Sequence, residues 1–250
     1  MTDEAAGEES FISHLVELRN RLVRAAVGVL AVGIVLFIWP GPADIYDFLA
    51  APMVASLHGA KMIATGVAAP FLVPMKVTLM LAVIIALPWV FYQIWAFVAP
   101  GLYAHEKRLV LPLVISSSLL FIAGVAFCYF LVFGRVFRFI SDFSPKSIQM
   151  MPDIENYLDF VMTMCLAFGA TFEVPVVVVI LVRMGIVSVA KLKSIRPYAV
   201  VGAFVIAAVV TPPDIVSQLA LAIPMVLLFE LGLLLAPVFV RATQSPEAPA

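Results

Sequence analysis

An all-helical integral membrane protein of six spans is the fold class this sequence predicts, on three observations. Of its 250 residues, 64% are hydrophobic and only 12% are charged, whereas soluble domains run about 45–50% apolar and about 25% charged. The apolar residues gather into six segments, to be judged against the roughly 20 residues that a bilayer-crossing helix needs. Lysine and arginine are dense in alternate connections and sparse in the others, as expected when successive loops lie on opposite sides of a membrane.

The first span is expected at about 22–39, directly after Ser10-Phe-Ile-Ser-His-Leu-Val-Glu-Leu-Arg-Asn-Arg-Leu22. No small-residue cleavage site follows it, so it reads as a retained span rather than a removable signal. The second span is expected at 75–97, the third at 109–133 and the fourth at 157–182. The fifth (197–211) and the sixth (217–236) are joined by almost no loop, and both are expected to be short. At about 15 residues, the fifth crosses a bilayer of ordinary thickness only by thinning it or by docking on other helices.

Arg19, Arg21 and Arg24 flank the first span, Lys107 and Arg108 follow the second, Arg183, Lys191, Lys193 and Arg196 lie between the fourth and fifth, and Arg241 follows the sixth. The opposite connections are longer but hold only Lys61, Lys76, Arg135, Arg138 and Lys146. This bias places both termini in the cytoplasm. The acidic stretch 1–9 and the segment 242–250 read as disordered tails. In the first outer loop, Pro40, Pro42, Pro52, Pro70 and Pro74 bracket Ile45, Phe48, Leu49 and Met53 at helical spacing, which predicts a short helix held between rigid corners. No internal repeat is visible, which counts against a transporter built from inverted halves.

Enzyme chemistry finds no foothold. GxSxG, HExxH, P-loop and Rossmann patterns are absent, and His14, His58 and His105 stand far apart at no metal-ligand spacing. Cys128 and Cys165 lie within apolar runs and read as small buried hydrophobes. Ser116-Ser-Ser118 has no histidine in any span to serve as base and reads as helix-interface polarity. Neither metal, cofactor nor nucleic-acid partner is expected.

A few acids remain to be explained. Glu17 either forms a helix pair with Arg21 four residues on, worth about 0.3–0.5 kcal/mol, or receives an incoming guanidinium. Phe11, Leu15, Leu18 and Leu22 form a stripe that would hold this segment on the bundle. Glu106, in Pro100-Gly-Leu-Tyr-Ala-His-Glu-Lys-Arg108, is a solvated loop acid or a second such receiver. Outside the tails, these two are the acids placed on the cytoplasmic face, and a ligand with two adjacent arginines needs two carboxylates. Glu173, beside Gly169 and Pro175 within the fourth span, costs a few kcal/mol to insert and is a functional candidate. Asp214 caps the turn between the last two spans, and Gln218 follows one helical turn later. Glu230 sits toward the inner end of the sixth. The competing reading is an ion-coupled small-solute transporter that uses Glu173 as proton carrier, but it would need several polar residues in different spans.

The chain resembles the TatC family, the multi-spanning subunits of the twin-arginine protein translocase. The resemblance covers nearly all of the sequence except the tails. It rests on His14-Leu-Val-Glu-Leu-Arg-Asn-Arg-Leu22, Tyr92-Gln-Ile-Trp-Ala-Phe97, the Pro100–Arg108 stretch, Phe168–Pro175 and Thr211-Pro-Pro-Asp-Ile-Val-Ser-Gln218, in that order. It implies a concave, cupped six-helix bundle in the bacterial cytoplasmic membrane, working as a receptor and not as a catalyst. It further implies that Glu17 and Glu106 bind the paired arginines of signal peptides on folded cargo, supported by Leu18, Arg19, Phe97 and His105. Single-span TatA- and TatB-type partners are implied at Glu173, Asp214 and Gln218, and a functional role in the outer loop is implied at Pro52. An oligomeric receptor complex and transport powered by the protonmotive force complete the expectation.

Overall fold

The computed structural model describes residues 2–56, 62–98, 110–143, 151–211 and 214–241. These are helical almost throughout: α1 (Thr2–Ile38), α2 (Pro42–Ser56), α3 (Ala69–Val98), α4 (Val110–Phe127), α5 (Phe133–Asp142), α6 (Ile154–Phe172), α7 (Val174–Arg183), α8 (Val189–Ser194), α9 (Arg196–Val210) and α10 (Ile215–Arg241). One π turn, Cys128–Val132, joins α4 to α5 in a continuous run. Among the described residues, five helical stretches are long and apolar enough to cross a bilayer: Ser13–Ile38, Ala69–Phe97, Leu111–Asp142, Ile154–Arg183 and Ile215–Val238. α9 is apolar but shorter, as expected for the fifth span. α1 takes in residues 2–9, which composition alone assigns to a tail, and 242–250 lie outside the described residues.

The last helix is a correction. α10 has 27 residues and rises about 40 Å, so only the fifth of the last two spans is short. The sixth span was expected to end at 236, but α10 runs on to Arg241, with Pro224 and Pro237 both inside it. Proline is tolerated in membrane helices because neighbours re-satisfy the freed backbone groups.

The chain divides into two compact units, Met1–Ile45 with Met75–Ser118 and Tyr46–Pro74 with Leu119–Ala250. In the first, α1 lies against α3. Trp89 Nε1 donates to the Arg24 carbonyl at 2.9 Å, and Gly28 leaves the space its indole fills, since a Cβ there would collide with the ring. One end of the same pair of helices is joined by His14 stacked on Phe97, ring centroids 4.5 Å apart.

In the second unit, the fourth span is two helices. Pro175 has no N–H to continue the ladder, so α6 ends at Phe172, α7 starts at Val174 and Glu173 sits at the break. α4 crosses α6 where Gly124 meets Gly169: a Cβ on Gly124 would come within 2.5 Å of the Phe168 carbonyl, and one on Gly169 would strike the Phe121 ring. Paired small residues let helix backbones approach this closely in membranes. α10 packs along α7 with Gly232 against Val178 and Pro175, and α8 closes one end around Val178, Leu192, Leu233 and Ala236. α2 buries Ile45, Leu49 and Met53 as its spacing predicts, while Phe48 is exposed and lies on the Tyr129 ring.

Candidate functional site

Glu17 lies on α1 one turn beyond His14, near the end of α3 that carries Phe97. Arg21 donates through Nε at 2.9 Å and through one terminal nitrogen at 2.7 Å, both to Oε1. The i,i+4 pair legible in the sequence is therefore formed. Arg19 turns away and donates to the Asn20 side chain at 3.2 Å, and Leu18 is exposed. Glu106 and His105 lie outside the described residues, so the geometry places Glu17 and Phe97 on neighbouring helices of one unit and leaves the second carboxylate unplaced. The contact of His14 with Phe97 escaped sequence reasoning, because 83 positions separate two residues each ordinary in its own helix. Gln93, at 3% exposure, is the buried polar residue of the Tyr92–Phe97 motif.

The other predicted residues fall in the second unit, on different elements. Glu173 is half-buried at the α6–α7 break, and its backbone N–H donates to the Ala170 carbonyl. Asp214 caps α10, accepting from the Ser217 N–H at 2.7 Å, which is the turn chemistry its position suggests. Gln218 uses its amide within the hairpin, donating to the Phe204 carbonyl of α9 at 3.3 Å. Glu230 pairs with Arg196 at 2.6 Å, tying α10 to the first residue of α9.

Pro52 receives a physical explanation. It lies inside α2, where its missing N–H leaves the Phe48 carbonyl, four residues earlier, without a helical donor. Tyr129, in the π turn, supplies one through its hydroxyl at 2.5 Å, and Tyr157 Oη donates to the neighbouring Leu49 carbonyl at 3.0 Å. The proline thus opens a socket through which Tyr129 and Tyr157 grip α2.

A second grip was not foreseen. Asp153 caps α6 through Oδ1, which accepts from the N–H groups of Glu155 and Asn156. Its Oδ2 accepts from the Thr65 N–H at 2.9 Å and the Thr65 hydroxyl at 2.7 Å. Backbone bonds on either side, Ile63 N–H to the Pro152 carbonyl and Ile154 N–H to the Ile63 carbonyl, complete the clasp. With Thr65 donating most strongly, the carboxyl is held at a pKa of about 2.

Among the described residues no cluster of His, Cys, Asp and Glu could hold a metal ion. The arrangement offers a carboxylate beside an aromatic stack on one pair of helices and separate polar anchors elsewhere.

Comparison with known proteins narrows what such an arrangement is for. Residues 13–224 match the family model described as Sec-independent protein translocase protein (TatC). A relative of that name from Azotobacter chroococcum mcd 1 is 53% identical over 88% of this chain and 86% of its own. Another, from Escherichia coli (strain K12), is 47% identical over 96% of this chain and 92% of its own. Among solved structures, a crystal structure of the twin-arginine translocase receptor TatC superposes with a TM-score of 0.79 at 34% identity, covering 90% of this chain and 98% of that one. These similarities favour a translocase component and lend nothing to the small-solute transporter.

Proposed function

The chain belongs to the TatC family of Sec-independent protein translocase proteins, and from that premise we propose that it is the signal-peptide receptor of a twin-arginine translocase. It binds paired arginines at its cytoplasmic face and supports protonmotive-force-driven export of folded proteins; it is not an enzyme. Glu17 and Glu106 receive the two guanidiniums, with Leu18, Arg19, Phe97 and His105 around them. The observation that carries this is the position of Glu17 on α1, beside the end of α3 marked by the His14–Phe97 stack. A carboxylate beside an aromatic surface suits a planar cation that can both fork onto oxygen and stack.

The same reading gives six spans in the bacterial cytoplasmic membrane, with both termini inside. TatA- and TatB-type single-span subunits dock at Glu173, Asp214 and Gln218, next to a fifth span too short to cross a normal bilayer, and the receptor works as an oligomer. Pro52 acts by holding the outer helix. The test is binding of a twin-arginine signal peptide to the detergent-purified protein. The twin-arginine peptide should bind and its twin-lysine version should fail; equal binding of the two would defeat the receptor assignment.

A further inference from the structure

Glu17 already has a guanidinium. Both bonds from Arg21 end on Oε1, so Oε2 lies outside that pairing. The pair is only partly shielded, with side-chain exposures of 21% for Arg21 and 36% for Glu17. We propose that Arg21 is a specificity-determining residue: a resident guanidinium with which an arriving arginine must exchange or share Glu17, and which disfavours lysine. The proposal rests on the reading of Glu17 as a receiver of the signal peptide.

The argument is one of competition. An arriving group exchanges with Arg21 at little net cost only if it returns as many charge-assisted bonds as it breaks. Arginine brings a planar fork and replaces like with like. Lysine brings a compact, strongly hydrated point charge that cannot reproduce a two-nitrogen contact. Arg21 also neutralises Glu17, and the same helix carries the exposed Arg19 and Arg24, so a cation is offered no net attraction at a distance. What remains is directional bonding at short range, where a fork does better than a point. An i,i+4 pair at such a site is weak, and that weakness makes exchange feasible.

The test uses the purified full chain in detergent and one signal peptide in twin-arginine and twin-lysine forms. Affinities are measured for wild type, Arg21→Gln, Arg21→Lys and Glu17→Ala. Arg21→Gln should tighten both peptides by removing the competitor, and the lysine form more, so that the arginine-to-lysine affinity ratio falls at least about threefold. Arg21→Lys should fall between. Because both peptides are measured on the same sample, partial loss of folded protein cancels in the ratio. An unchanged or larger ratio in Arg21→Gln overturns the proposal. If Glu17→Ala binds the arginine peptide as wild type does, the reading of Glu17 fails. If Glu17→Ala is weak while the Arg21→Gln ratio is unchanged, only the role of Arg21 falls.

Discussion

Only 6% of the apolar window of Ser13–Ile38 is buried within the protein, whereas 44% of the window in Ile154–Arg183 is. The first span meets α3 at the Trp89 indole on the Arg24 carbonyl, the space at Gly28, the approach of Gly33 to Ala82 and the His14–Phe97 stack. The fourth is capped by Asp153, crossed by α4 at Gly124 and Gly169, and packed by α10 at Gly232. Interior packing at that density answers to single methyl groups, while a lightly packed helix can change its surface chemistry without consequence for the fold. The comparison separates what holds the protein together from the region in which the proposed receptor site lies. Substitutions around Glu17 should alter binding with the fold intact; substitutions around Gly124 should do the reverse.

The largest expected effect is therefore at the α4–α6 crossing. Gly124→Leu forces side-chain atoms toward the Phe168 carbonyl and should destabilise by about 2–3 kcal/mol or more, read as a lowered midpoint of thermal unfolding in detergent. Its counterpart in α1 is Gly33→Ala, whose Cβ would meet the Ala82 Cβ at an ordinary 3.7 Å and should leave the midpoint unchanged or slightly raised. Equal losses in both would erase the contrast between the two regions.

The socket at Pro52 comes next. Tyr129→Phe removes the donor to the Phe48 carbonyl and should cost about 1 kcal/mol. Adding Pro52→Ala supplies an N–H at the right helical position and should recover part of that loss. If the double variant is no more stable than Tyr129→Phe alone, proline is not what opens the carbonyl.

The smallest effect concerns acid. Because folding holds the Asp153 carboxyl below its ordinary value, at about 2, the clasp contributes fully above the unfolded value near 3.8 and loses its contribution as pH falls through about 2. The stability difference between wild type and Asp153→Asn should thus be constant from neutral pH to about 5 and shrink toward pH 2. A difference that grows on acidification would contradict the assignment.

Much of this was readable in the sequence wherever the cause was local. Apolar run length announced an all-helical chain, the i,i+4 spacing announced the pair of Glu17 with Arg21, and the pattern around Ile45 announced α2. The length of the last helix was not readable: the sixth span was expected to be short and to end at 236, yet α10 runs through Pro237 to Arg241. Tertiary pairings left no trace, since nothing in one segment specifies that Asp153 will meet Thr65, 88 residues away, or that Tyr129 will serve a carbonyl freed by Pro52. Of the site itself, the acids stood out because charge is rare in this chain, whereas the aromatic stack beside Glu17 did not, because aromatics are common in it.

The central claim is that Glu17 and Glu106 receive a pair of arginines, and the most direct test is peptide affinity across Glu17→Ala, Glu106→Ala and the double variant. Each single variant should bind the twin-arginine peptide at least about tenfold more weakly than wild type, about 1.4 kcal/mol, with unfolding midpoints unchanged and aspartate at either position milder than alanine. Wild-type affinity in both single variants, with the protein still folded, would contradict it.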